Sequence, residues 1–136
     1  LSVATCSRLT DAAILALADG CPNLLWLNVE RCKNLTPASI AALAENCPNI
    51  EALRISQCEL TALPENIGTL SKLKWLDFYK NELQELPRSI VNLDASCCVK
   101  VGNNPLRFPP LEIARRGIPA IRRYFEENPA HAGATL

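Results

Sequence analysis

Seven cysteines and one histidine, His131, are the residues of this 136-residue chain best suited to metal or redox chemistry. Zinc needs four ligands converging on one point, yet the sequence has no C-x-x-C pair, and the vicinal Cys97-Cys98 is its nearest substitute. Cys6, Cys32 and Cys58 instead occupy equivalent places in a repeating pattern, as do Cys21 and Cys47. They are expected to stack as two buried rows of structural thiols, with no metal. An odd number of cysteines spread through apolar surroundings argues against a disulfide framework and for a reducing, cytoplasmic setting. Cys98 is expected to face outward, where it is open to oxidation.

Groups for proton transfer or nucleophilic attack do not converge. Glu126 and Glu127 are consecutive and so diverge on a helix. His131 sits among Pro129, Ala130, Ala132 and Gly133, a tail composition that gives a base no rigid mounting. There is no phosphate-binding G-x-x-x-x-G-K-[ST] loop, no G-x-S-x-G elbow and no H-E-x-x-H helix. The chain is therefore expected not to be an enzyme, with no cofactor and no small-molecule substrate.

Arg115-Arg116 and Arg122-Arg123 suggest phosphate binding, but between Arg107 and Glu127 five arginines face three glutamates, and a solvated helix face is the expected use. Overall, 14 Lys and Arg balance 14 Asp and Glu and aromatics make up only 5%, which argues against a nucleic-acid partner. No apolar run approaches the roughly 20 residues that cross a bilayer, so no membrane partner is expected. Asn34-Leu35-Thr36 matches a glycosylation sequon, but Leu35 falls on a core position and the match is read as incidental.

The elements that must carry these residues are set by a repeat. Leu1-x-Val3-x-x-Cys6-x-x-Leu9-Thr10 recurs 26 residues later as Leu27-x-Val29-x-x-Cys32-x-x-Leu35-Thr36, and again as Leu53-x-Ile55-x-x-Cys58-x-Leu60-Thr61. The step then shortens to 23, giving Leu76-x-Phe78-x-x-Asn81-x-Leu83 and Val99-x-Val101-x-x-Asn104-x-Leu106. A leading apolar residue is present as Leu24, Ile50 and Leu73. In the fifth unit that register holds Ser96, so the last unit is degenerate. Each unit predicts a short strand with its apolar members pointing inward. The following Cys or Asn is buried where the chain turns away, because the turn exposes backbone groups that need partners.

The return paths differ. Thr10 to Gly20 and Thr36 to Asn46 place Ile14, Leu17, Ala18 and Ile40, Leu43, Ala44 at helical spacing, with Thr36 as N-cap and Pro37 at the first helical position. Leu60 to Leu70 and Leu83 to Leu93 carry L-x-x-L-P-x-x-I, which predicts an extended stretch and a short helical turn. A narrower return path accounts for the shorter period.

These units resemble leucine-rich repeats. The first three are similar to the cysteine-containing repeats of F-box substrate receptors. Units four and five look like the plant and bacterial style. The segment Asn104-Pro105-Leu106 with Pro109-Pro110, Gly117, Ala120-Ile121 and Tyr124 is similar to the closing segment of intracellular repeat proteins, including Roco-type GTPases. The resemblance implies an α/β fold: a right-handed solenoid with a concave parallel β-sheet and helices on the convex side of the first repeats. Residues 1–106 form about five repeats, 107–127 a capping helix and 128–136 a flexible tail. Leu111, Ile113, Ile118, Ile121, Tyr124 and Phe125 are expected to cover the last unit's open end. The chain has no Met and opens on Leu1 within an alternating apolar stretch, so further repeats or a partner domain are expected ahead of it.

Outward strand positions form columns across the repeats. One runs Trp26, Ala52, Trp75, Cys98. The next runs Ser2, Asn28, Arg54, Asp77, Lys100, the third Ala4, Glu30, Ser56, Tyr79, Gly102, and the fourth Thr5, Arg31, Gln57, Lys80, Asn103. Both tryptophans thus fall in one column about 10 Å apart, with a notch at Ala52 between them. Trp, Tyr and Arg are the side chains most often found at binding hot spots. A patch of Trp26, Asn28, Glu30, Arg54, Ser56, Trp75, Asp77, Tyr79 and Lys100 is therefore expected to bind a protein or peptide. The bland alternative is that each Trp merely rests on neighbouring side chains or meets another domain of the same polypeptide. Other roles compatible with the sequence are the recognition arm of a larger signalling enzyme (Roco-type GTPase or kinase), an F-box-type ubiquitin-ligase receptor and a structural subunit of an assembly.

Overall fold

Four three-residue strands lie side by side in chain order in a computed structural model that describes residues 8–129: β1 (Trp26–Asn28), β2 (Ala52–Arg54), β3 (Trp75–Asp77) and β4 (Cys98–Lys100). The expectations for Ser2, Ala4, Thr5, Cys6 and His131 fall outside those residues. All pairings are parallel, and the register reproduces the sequence period: Trp26 pairs with Ala52, Ala52 with Trp75 and Trp75 with Cys98. The ladder continues past the strands through the amides of Val29 to Arg54, Arg31 to Ser56 and Lys80 to Gly102, at 2.9, 3.0 and 2.8 Å.

The middle residue of each strand points inward. Leu27, Leu53 and Leu76 are buried, and Val29, Ile55 and Phe78 beyond them are fully enclosed. Each such side chain stabilises the fold by about 1.5–3 kcal/mol through its burial.

Behind the sheet stand α1 (Asp11–Gly20) and α2 (Pro37–Asn46), followed by 3-10 turns at Glu65–Thr69 and Arg88–Asn92 where the L-P-x-x-I segments predicted short helical turns. Ile14 and Ala18 of α1, with Ile40, Leu43 and Ala44 of α2, are the buried faces. Thr36 caps α2, its hydroxyl accepting the Ala38 amide at 3.2 Å. The 3-10 turns permit a closer approach than a helix. Gly68 lies so near Ser89 that a Cβ there would sit 1.9 Å from the Ser89 carbonyl oxygen.

The polar residue after each strand works as a bracket. Between the units of β2 and β3, Asn81 accepts the amides of Cys58 and Leu60 at 2.9 and 3.0 Å and donates to the carbonyls of Ile55 and Phe78. Asn104 repeats the arrangement toward Asn81 and Leu83. Cys58, in the equivalent place, donates its thiol to the carbonyls of Val29 and Ser56 at 3.1 and 3.3 Å.

The closing segment departs from the expected single helix. It forms a four-residue helix, α3 (Leu111–Ala114), then α4 (Ile118–Glu127), because Gly117 has φ 96° and cannot continue a right-handed turn. Ile118, Ile121 and Phe125 are buried, whereas Leu111, Ile113 and Tyr124 are half-buried. Arg122 fastens α4 to the second 3-10 turn by donating to the Val91 carbonyl at 2.6 Å. At the start of the expected tail, Asn128 donates to the Tyr124 carbonyl at 2.9 Å, and the Pro129 carbonyl accepts from Arg88 at 2.7 Å. No helix among the described residues is long and apolar enough to cross a membrane.

Candidate functional site

The open face of the sheet gathers the outward strand residues into rows. Trp26 is 52% exposed, the most of any large apolar side chain among the described residues, and Tyr79 is 42% exposed. Trp75 is half-buried. Its ring is flanked from both sides, by the Lys100 ammonium at 5.3 Å from the centroid and the Arg54 guanidinium at 6.0 Å. The Trp75 indole N–H is buried with no acceptor. A cleft of about 420 Å³ opens beside Ala52, bounded by Trp26, Asn28, Glu51 and Arg54 and floored by Leu25 and Leu27.

Strand register brings Asn28, Arg54, Asp77 and Lys100 into one row across the four strands. Arg54 and Lys100 are exposed, whereas Asn28 and Asp77 are half-buried because each side-chain oxygen turns back to the amide two residues on, Glu30 at 2.9 Å and Tyr79 at 3.0 Å. The Tyr79 ring lies over Gly102, where a Cβ would meet two ring carbons at 3.1 Å, and its hydroxyl accepts from Asn103 at 2.8 Å.

Ser56 is a correction. It was expected to face a partner, but it is 2% exposed and donates to the Glu30 carboxylate at 2.8 Å. Alternation fails there because the chain has left the strand and begun its turn, and the longer Glu30 side chain from the neighbouring unit reaches over it. Ser56 positions Glu30; it offers no surface of its own.

Sequence reasoning also missed the backbone of the fourth column. Arg31, Gln57, Lys80 and Asn103 all adopt left-handed φ values, between 54° and 63°. Three of the four are residue types with no marked preference for that region, so only the coincidence of register signals it. The repeated geometry turns every unit out of its strand in the same way.

Four of the six described cysteines are buried. Cys32 and Cys58 are fully buried, and Cys47 donates its thiol to the Cys21 carbonyl at 3.3 Å while Cys21 is half-buried. Burial pushes the Cys58 thiol up to about 11, with the Cys32 thiol nearby adding to the shift. Burial does the same at Cys97, also to about 11, reinforced by Cys98 and Asp94. Cys98 is half-buried at the outer end of the Trp26 row. All six described cysteines are free, and no three His, Cys, Asp or Glu side chains among the described residues converge as a metal would require. The arginine pairs divide: Arg122 is spent on Val91, Arg123 pairs with Glu127 at 3.4 Å, and Arg115 and Arg116 are exposed.

No family model matches the chain. Among curated proteins it is similar to the plant intracellular Ras-group-related LRR protein 4 of Oryza sativa subsp. japonica, at 36% identity over 69 residues. That match takes in 51% of this chain and 12% of the rice protein, so it spans about an eighth of the relative's length.

Proposed function

We propose that the chain is a segment of a right-handed leucine-rich-repeat solenoid, that the sheet's open face is its concave wall, and that this wall binds another protein. The reading assigns no catalysis, cofactor or metal to it. The observation that carries the proposal is the placement of Trp26, Tyr79, Arg54 and Lys100 as exposed side chains on one parallel sheet whose register follows the sequence period. The likeness of half the chain to a protein named for leucine-rich repeats supports the same reading.

Rigidity is the mechanism. Hydrogen-bonded strands bracketed by buried asparagines lose little further freedom on docking, so a few aromatic and cationic contacts supply useful affinity. Several outward side chains are already held, Asn28 and Asp77 by amides of their own units and Glu30 and Tyr79 by side chains of the next.

The test is affinity purification from cell extract with wild-type chain and with a Trp26→Ala/Tyr79→Ala double variant. Both residues are exposed, so the variant keeps its fold, which circular dichroism checks. A protein retained by wild type and lost at least about tenfold by the variant supports the wall as the site. Equal retention by both chains removes it.

A further inference from the structure

The open face is not neutral, although the chain as a whole is. Its exposed charges are all cations: Arg31, Arg54, Lys80 and Lys100. The carboxylates of its strand rows, Glu30 and Asp77, are half-buried and occupied by Ser56 and by the Tyr79 amide, and Glu51 stands at the rim of the cleft. Lys74 at the border is matched by Glu51 at 3.7 Å. A partner therefore meets positive charge laid over an aromatic floor.

Spacing narrows the partner further. Arg54 on β2 and Lys100 on β4 both lean over Trp75 on the strand between them. Their strands are two apart, about 10 Å, which matches one turn of a polyproline-II segment, three residues at about 3.1 Å each, and that three-fold repeat returns side chains three apart to the same face. Asp77 stands between them in the same row and repels an anion at the middle of that span.

We propose, resting on the reading of this face as a protein-binding wall, that it takes an acidic segment in the extended polyproline-II conformation, crossing the strands. Carboxylates three residues apart pair with Arg54 and Lys100, and the two intervening residues are uncharged or basic where they pass Asp77.

The experiment selects displayed random peptides of about 12 residues, long enough to cross all four strands, on the immobilised full chain. Enriched peptides are then synthesised and measured by fluorescence anisotropy. Expected are sequences with Asp or Glu at a spacing of three, bound more weakly as salt rises and at least about tenfold more weakly by Arg54→Gln/Lys100→Gln. Neutral or basic winners, or acidic winners indifferent to that double variant, overturn the inference. If such winners still lose affinity with Trp26→Ala/Tyr79→Ala, the protein-binding reading stands without it; if they do not, both fall. A single-stranded oligothymidylate bound as tightly as the best peptide also overturns the inference, in favour of a nucleic-acid ligand.

Discussion

The side-chain carbonyl of Asn104 accepts the backbone amide of Asn81 at 3.1 Å, so one bracket residue holds the next in place. Asn81 in turn accepts the amides of Cys58 and Leu60. Asn81→Ala strands those two buried donors, each costing about 1–3 kcal/mol, and is expected to lower unfolding free energy by about 3–5 kcal/mol. Asn81→Cys, which imitates the preceding unit, regains at most about 1 kcal/mol, because a thiol is a poor acceptor for both amides. Urea denaturation measures both. A loss below about 1 kcal/mol for Asn81→Ala would mean the two amides find other acceptors.

Asp11 joins the first two units from the first turn of α1. Its carboxylate accepts the Thr36 amide at 2.9 Å and hydrogen bonds from the Thr36 and Ser39 hydroxyls, and so lies at the N-terminus of α2, where negative charge is favoured. Burial alone pushes its pKa up; the hydrogen bonds from Ser39 and Thr36 outweigh that and hold it below the ordinary aspartate value. A depressed folded-state value means the contribution is complete above about pH 4 and fades as acid protonates the folded form. Asp11→Ala is expected to cost about 1 kcal/mol at neutral pH and progressively less on acidification. Thermal melts of both proteins from neutral pH downward check it; a gap that widens in acid contradicts the assignment.

Two glycines give opposite outcomes for the same substitution. Gly68→Ala drives a methyl into the Ser89 carbonyl, a backbone atom that cannot step aside, and is expected to cost several kcal/mol, on the order of 3. Gly20→Ala meets nothing within 4 Å at the end of α1 and is expected to be neutral or to stabilise by up to about 1 kcal/mol. Denaturation midpoints of the pair, measured side by side, decide whether the two 3-10 turns pack as closely as described.

Several of these devices were open to inspection in the sequence and several were not. The period of Leu27, Leu53 and Leu76 dictates parallel register because equal steps bring equal residues together, and Thr36-Pro37 marks a helix start by local chemistry alone. The bracket role of Asn81 and Asn104 follows from the need to satisfy turn amides. Asp11 was not visible, since its partners Thr36 and Ser39 lie one coil away and nothing nearby singles it out. Ser56 misled because period-two alternation was carried one residue beyond the strand. Within the candidate site, the two adjacent rows, one carrying Trp26 and Trp75 and the other Arg54 and Lys100, were legible as register. The flanking of Trp75 by two cations was not, because it depends on rotamers.

Buried thiols make the protein sensitive to alkali. Burial holds the Cys58 and Cys97 thiols at about 11, above the value of an exposed cysteine. Once pH passes about 8.5–9 the unfolded chain loses these protons while the folded chain keeps them, so the linkage runs toward unfolding. Stability is expected to fall between about pH 9 and pH 11, and Cys58→Ala is expected to flatten that slope while costing about 1–2 kcal/mol at neutral pH. Urea titrations at stepped pH measure the slope; an unchanged slope in the variant contradicts the assignment.

The two tryptophans of the sheet differ in what they owe to the fold. Trp26 is more than half exposed, so Trp26→Ala is expected to change stability by less than about 1 kcal/mol. Trp75 sits beneath Arg54 and Lys100 and is half-buried, so Trp75→Ala loses packing and both cation contacts, at a cost of about 2 kcal/mol. Trp75→Phe keeps a ring for the cations and deletes the buried N–H that lacks an acceptor; it is expected to be neutral or mildly stabilising. Acrylamide quenching gives an independent check, because each Trp→Phe variant leaves a single emitter. The emitter that remains in Trp75→Phe is Trp26 and should quench readily, while the one that remains in Trp26→Phe is Trp75 and should be shielded by its two cations. Equal quenching in the two variants would mean that Arg54 and Lys100 do not cover Trp75, and the seat proposed for an acidic segment would lose its geometry.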